Sequence, residues 1–196
     1  MKKRVATIST VLVLACAIVA LYWYIDRNGG AEEKPAVNTV AEQMLAKDLE
    51  KNYPPTPYSV AELYCGTVEC IYNPETTEEQ IEGLVKMQLQ LFDEEFAALN
   101  PYEQFLDVTK EELAEAKEKG IVFTGYVLDK ATNVQKWENV LGSYASLQFQ
   151  LLSRSDEGGG GSYRNLIMRK DKDGKYKIVG WQTAEDGGND SADTGN

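Results

Sequence analysis

The chain has 196 residues, of which 43% are hydrophobic and 26% charged, and its formal net charge is −11. That acidic balance offers no basic footprint for phosphates and sets nucleic acid aside as a partner. The count of 0 histidines removes Ser-His-Asp and Cys-His catalysis and every histidine-based metal site.

Met1-Lys2-Lys3-Arg4 is basic, and residues 5–25 then carry no charge. At about 1.5 Å per helical residue this stretch spans about 30 Å, the thickness of a bilayer core. Basic residues stay inside, and Tyr22, Trp23 and Tyr24 stand where an outer aromatic belt would sit. The leading expectation is an uncleaved signal anchor: a single-pass cell-membrane protein with a cytoplasmic N-terminus and an extracytoplasmic C-terminal domain. Two alternatives stay open. Val13-Leu14-Ala15-Cys16 has the outline of a lipobox, with Leu14 where a small residue is usual and apolar residues running on past Cys16. Ala15-x-Ala17 is a small-x-small site for a cleaved signal peptide, but it lies inside the apolar run. All three export the rest of the chain.

Residues 26–36 are polar with Gly-Gly and Pro, a linker. Residues 37–182 are expected to form one extracytoplasmic α+β domain, and 183–196 a disordered acidic tail. Thr39-x-x-Glu42 reads as a capping box that opens a helix. Tyr53-Pro54-Pro55-Thr56-Pro57 stops it. Ser59-x-x-Glu62 reads as a second box, with Val60, Leu63, Tyr64, Thr67, Val68 and Ile71 in one stripe. Thr77-x-x-Gln80 opens a third helix, whose apolar face runs to Phe96. Asn100-Pro101 starts a short piece through Leu106, and Thr109-x-x-Glu112 a charged helix ending at Gly120. Strands are predicted over 121–128, 134–138, 144–153, 163–170 and 175–182, the third alternating cleanly. Helices first and an antiparallel meander after is an α+β layout.

Several strings carry a resemblance: the Tyr-Pro-Pro-Thr-Pro run, Cys70-Ile71-Tyr72-Asn73, Phe92-Asp93-Glu94-Glu95, Asn100-Pro101, and residues 169–181 ending Lys177-Ile178-Val179-Gly180-Trp181. Over residues 45–182 the chain resembles an uncharacterised family of membrane-anchored proteins from Gram-positive anaerobes. The layout is also similar to the NTF2-like fold, which implies a cone of three or four helices on a curved antiparallel sheet around a cavity. That fold hosts enzymes, ligand carriers and scaffolds, so it does not choose among them. The Asp/His or Tyr/Asp sets of its enzymes find no match here.

Cys65 and Cys70 lie five apart, about 8–9 Å between Cα atoms in a continuous helix, beyond the ~7 Å reach of a disulfide. The spacing favours two unpaired cysteines, Cys70 packed as a small hydrophobe and Cys65 on the far side of the stripe. A disulfide with distortion at Gly66 and an intermolecular bond through Cys65 are the alternatives. Asp93-Glu94-Glu95 reads as a solvated helix face, and Glu111, Glu112, Glu115 and Glu118 among lysines as a salt-bridged exposed helix. Asp171-x-Asp173-Gly174 starts like a calcium loop but lacks the later acidic ligand, so a hairpin turn is expected. The glycines at 158–161 lack the helix that a phosphate cradle needs and read as a hairpin loop. No metal or cofactor is expected. Tyr126, Trp137, Tyr144, Tyr163 and Trp181 fall on or beside strands. As apolar bodies with polar tips they are candidate ligand- or partner-binding residues.

These readings give three functional expectations. The first is a non-catalytic, membrane-anchored domain that binds another envelope protein or itself, in one version as a scaffold of a secretion- or conjugation-type assembly. The second is a small-ligand-binding module with an aromatic-lined pocket. The third, an enzyme working with carboxylates and tyrosines, has no motif behind it.

Overall fold

Reciprocal caps set where the helices start. The computed structural model describes residues 39–156 and 158–184, all within the unit Thr39–Asn196; the unit Met1–Asn38 lies outside the described residues. At α1 (Val40–Leu45) the Glu42 N–H donates to Thr39 Oγ1 at 3.2 Å and the Thr39 N–H to Glu42 Oε2 at 3.0 Å, the expected capping box. α2 (Pro57–Ile71) begins earlier than the expected Ser59 cap. Pro57 takes the first helical position, where its missing N–H is no loss, and Thr56 and Ser59 cap one another. α3 (Glu78–Leu91) opens on the Thr77–Gln80 box as expected. Asp93 caps a separate α4 (Glu94–Leu99), which the sequence reading had merged with α3. The expected break at Thr109 is absent. α5 (Tyr102–Glu118) is continuous, and the Thr109 hydroxyl donates back to Phe105 O at 2.8 Å inside it. Gly120, at φ +62°, follows its end.

The second half is one antiparallel sheet: β1 (Val122–Leu128), β2 (Gln135–Asn139), β3 (Gly142–Ser155), β4 (Gly158–Lys170) and β5 (Tyr176–Thr183), with a 3-10 turn at Ala131–Asn133. The order is β1-β3-β4-β5, with β2 also on β3. β4 pairs along the whole of β3, so β1 and β2 lie end to end on the other edge of β3. The glycines at 158–161 are paired strand against residues 152–155, not a loop. Ladder hydrogen bonds need only backbone, and the missing side chains hide the strand pattern. Asp171-x-Asp173-Gly174 is the expected turn: Asp171 Oδ1 accepts from the N–H groups of Asp173 and Lys175, both at 2.9 Å.

The core lies between the helices and the sheet face carrying Ala145, Leu147, Phe149, Leu166, Met168 and Ile178. Leu84, Leu91, Leu147 and Leu166 are all but fully buried, each contributing about 2 kcal/mol of transfer free energy. α1 closes down on α2 and α3 where glycines make room. A Cβ on Gly66 would stand 2.8 Å from the Met44 methyl, and one on Gly83 2.8 Å from Leu45 Cδ2. α2 is central, with α1, α3 and strands β1, β3 and β5 around it. It is therefore buried on nearly every side, and Cys65, expected on the far side of the apolar stripe, has no exposed surface. Both Cys65 and Cys70 are buried and free.

One expectation is corrected at the level of architecture. The predicted fold was a transmembrane helix followed by an NTF2-like cone of three or four helices. The protein is an α+β fold with an antiparallel sheet and five α-helices among the described residues. No helix among the described residues is long and apolar enough to cross a membrane, and the expected span over 5–25 lies outside them. The expected linker falls outside them too, as does the tail beyond Ala184.

Candidate functional site

The packing leaves a cleft of about 760 Å³ between α2, α3, the start of α5 and the inward face of β4 and β5. Its walls are aromatic. Trp181 sits 5.7 Å from Tyr64, centroid to centroid, and 5.7 Å edge-on from Phe96, and Phe92 joins Phe96 to Phe105 at 4.7 and 5.5 Å. Such contacts fix the rings more firmly than area alone.

Trp181 reaches the cleft because β5 is irregular. Arg164, Asn165, Leu166 and Ile167 face Thr183, Gln182, Trp181 and Gly180, but the next residue, Met168, faces Ile178. Val179 is the extra residue of a bulge, and Gly180 beside it has φ +147°. In a regular strand Ile178 and Trp181 would point to opposite faces. The bulge resets the parity, so Ile178 enters the core and Trp181 the cleft.

The polar groups divide into two sets. One is committed to the fold: Gln88 Nε2 donates to Thr67 Oγ1 at 2.9 Å, and Thr67 to Tyr64 O at 2.6 Å, a buried chain. Asn100 donates to Phe96 O at 2.8 Å. The other set is uncommitted. The Tyr64 hydroxyl belongs to a residue only 6% exposed, yet it has no hydrogen-bond partner among the described residues. The Arg164 guanidinium has neither hydrogen bond nor ion pair among them. Glu112 stands at the rim and accepts from the Tyr72 hydroxyl at 3.3 Å. Burial holds the Tyr64 hydroxyl well above the ordinary tyrosine pKa and pushes Tyr72 up to about 12, with Glu112 adding to the rise at Tyr72. Both stay protonated and act as donors at neutral pH.

Of the five aromatic residues singled out in the sequence, only Trp181 lines this cleft. Trp137 and Tyr144 stack on each other at 5.5 Å with an 11° interplanar angle, at the β2–β3 hairpin. Tyr126 lines a separate groove with Leu63 and Met44. Tyr163 pairs with Gln150, whose alternation puts both on the outward face of the sheet. Sequence reading missed Tyr64 and Arg164. The signal for Arg164 is present: Arg164, Leu166 and Met168 alternate on one face of β4, and the last two are core. Tyr64 lay in the apolar stripe and read as core alone.

A second concavity of about 770 Å³ lies by the β4–β5 turn, but its best-buried charges already hold the fold together. Asp93, expected on a solvated face, is buried and takes Arg169 in a two-pronged bond: Nη2–Oδ1 2.6 Å and Nε–Oδ2 3.2 Å. It also accepts from the Glu95 N–H at 3.2 Å as the cap of α4. Lys177 donates to Gln90 O at 2.6 Å and lies over the Tyr53 ring. These groups hold elements together, so the aromatic cleft is the better candidate. Among the described residues no group of three or more Cys, Asp or Glu is arranged to hold a metal ion.

The chain belongs to the family described as Domain of unknown function (DUF6715), whose model matches residues 1–181. No curated protein matches it. Among solved structures it is similar to the helical cell shape determining protein Pgp2 from Campylobacter jejuni. The identity is 17% over 65% of this chain and 42% of that one, with a TM-score of 0.37. The chain thus spans less than half of that protein's length, and a likeness of this size carries no argument about function.

Proposed function

We propose that this member of the family is a non-catalytic binding module that takes a small ligand with an apolar body in the aromatic cleft. The observation that carries the reading is the Tyr64 hydroxyl, which has no partner among the described residues and opens on a cleft that Trp181, Phe96 and Phe105 help to wall. An accessible hydroxyl can exchange its water for a ligand acceptor at a net gain of about 0.5–1.5 kcal/mol. Hydrophobic walls with a few convergent polar groups are the common build of such sites. The non-catalytic part rests on the groups themselves: an arginine and two tyrosines held protonated bind and orient, and none is poised to exchange a proton near pH 7.

The test is a small-molecule screen on the full-length chain read by thermal shift and by fluorescence. A ligand at about a hundred times its dissociation constant stabilises by about 2.7 kcal/mol. Because Trp181 lines the cleft, a true ligand changes its emission, and Trp181→Phe removes that change. Hits that shift melting equally in Trp181→Ala and wild type would bind elsewhere and sink the reading.

A second reading, docking to another envelope protein or to a second copy, has its own observation. Val140 is 100% exposed and Leu141 70%, at the tip of the hairpin that carries the Trp137–Tyr144 stack. Replacing both tip residues with serine would abolish any self-association seen by sedimentation; unchanged association would discard this tip as the contact.

A further inference from the structure

We infer that the cleft recognises an anion, and that its ligand is a carboxylate with an apolar tail whose head group lies between the Arg164 guanidinium and the Tyr64 hydroxyl. The inference rests on the binding reading above and adds the chemical class.

Arg164 lies midway along β4. It pairs with Phe149 on β3 and Thr183 on β5, and it alternates with Leu166 and Met168, both without exposed surface. It is thus a charged residue on the core-facing side of the sheet. Inward charges are a known defence of exposed sheet edges, but at Arg164 β4 is paired on both sides, with Phe149 and with Thr183, so that explanation fails. Structural neutralisation fails as well. Glu112 is the one carboxylate lining the cleft among the described residues; it serves the Tyr72 hydroxyl and lies beyond ion-pair distance of Arg164. A half-buried guanidinium and a cleft-facing hydroxyl, both without a protein partner among the described residues, offer convergent donors to an anion that spans them.

The head group follows from the donors. A guanidinium presents two parallel N–H groups that match the two oxygens of a carboxylate, and the Tyr64 hydroxyl supplies one more donor. A phosphate dianion would call for further cations, and the cleft's lining holds Arg164 alone. The tail follows from the walls: Phe96, Phe105 and Trp181 offer ring surface, and Val68, Leu99 and Val108 add aliphatic surface.

The experiment is calorimetric titration of the full-length chain with two matched pairs, 3-phenylpropionate with its primary amide and octanoate with its amide. The expected result is that at least one acid binds about tenfold or more tighter than its amide. Arg164→Gln should bring that acid down to the amide's affinity and leave the amide unchanged. Tyr64→Phe should weaken the acid several-fold without lowering the melting temperature, since the lost hydroxyl had no protein partner. A tyrosine that only filled space would leave affinity unmoved. Acid and amide binding alike, with Arg164→Gln silent, would overturn the anion class and leave the binding module standing. No binding by any of the four, while the broader screen finds a ligand seen by Trp181, would also overturn only the carboxylate class. Silence in both experiments would remove the module itself.

Discussion

Asp93 shows how one side chain acquires two jobs. Its carboxylate caps α4 and grips Arg169 of β4, so it ties the end of the helical layer to the sheet. Its side chain is 7% exposed, and the other carboxylate within ion-pair distance of Arg169 among the described residues, Glu95, stands at 3.5 Å and is 80% exposed. Asp93→Ala therefore leaves a largely covered guanidinium with a poor substitute and removes the cap. The expected cost is about 3–5 kcal/mol. Asp93→Asn keeps an acceptor for the Glu95 N–H and should cost clearly less. Urea unfolding of both variants checks the order; equal losses would show that the cap contributes nothing beyond the ion pair. Sequence reading put this residue on a solvated face because three adjacent acids look alike. What separates Asp93 is that its N–H also donates to Ile178 O at 2.7 Å, which pulls the position against β5. That contact joins residues far apart in the chain and leaves no local trace.

At the scale of the element, β5 carries the site because it is bulged. Gly180 at φ +147° adopts a conformation that side chains rarely take, and a Cβ there would also lie 4.0 Å from the Phe96 ring. Gly180→Ala should lower stability by about 1 kcal/mol or more and turn Trp181 out of the cleft, which a shift in its emission would report. A variant with native emission would mean that the bulge does not orient the tryptophan. A glycine inside a strand pattern signals a bulge, so this feature was open to reading in Lys177-Ile178-Val179-Gly180-Trp181, but periodicity alone would have kept strict alternation. The helices divide in the same way. Thr39 and Thr77 were legible because cap and third residue sit side by side in sequence. Thr56 was hidden behind Pro57, and Thr109 looked like a cap although its hydroxyl bonds within a running helix. Local chemistry offers both outcomes at Thr109, and the neighbours of α5 choose.

For the whole molecule, helices before an antiparallel sheet followed from periodicity, while the cleft did not, because it is assembled from α2, α5, β4 and β5 by contacts that no spacing encodes. The same assembly buries several weak acids, and this gives the protein a defined response to alkali. Burial pushes the Cys65 thiol from its ordinary 9.0 up to about 12 and raises Cys70 as well. It raises Tyr53, Tyr64 and Tyr72 from 10.0. Between its ordinary and its native value each group keeps a proton in the folded chain that the unfolded chain has lost. The folded state then binds more protons, so stability falls as pH rises. Lys177 acts in the opposite sense, since burial lowers it below 10.5 and the folded chain sheds that proton first. It is one group against six, since burial raises Tyr126 too. Urea midpoints should therefore hold level from about pH 7 to 9 and drop beyond, the cysteines contributing first and the tyrosines from about pH 10. The double variant Cys65→Ala with Cys70→Ala should delay the onset by about one pH unit and leave the steeper loss above it intact. A midpoint that stays level to pH 11, or an onset unmoved in that variant, would show that these thiols and phenols ionise in the folded chain as they do in the unfolded one.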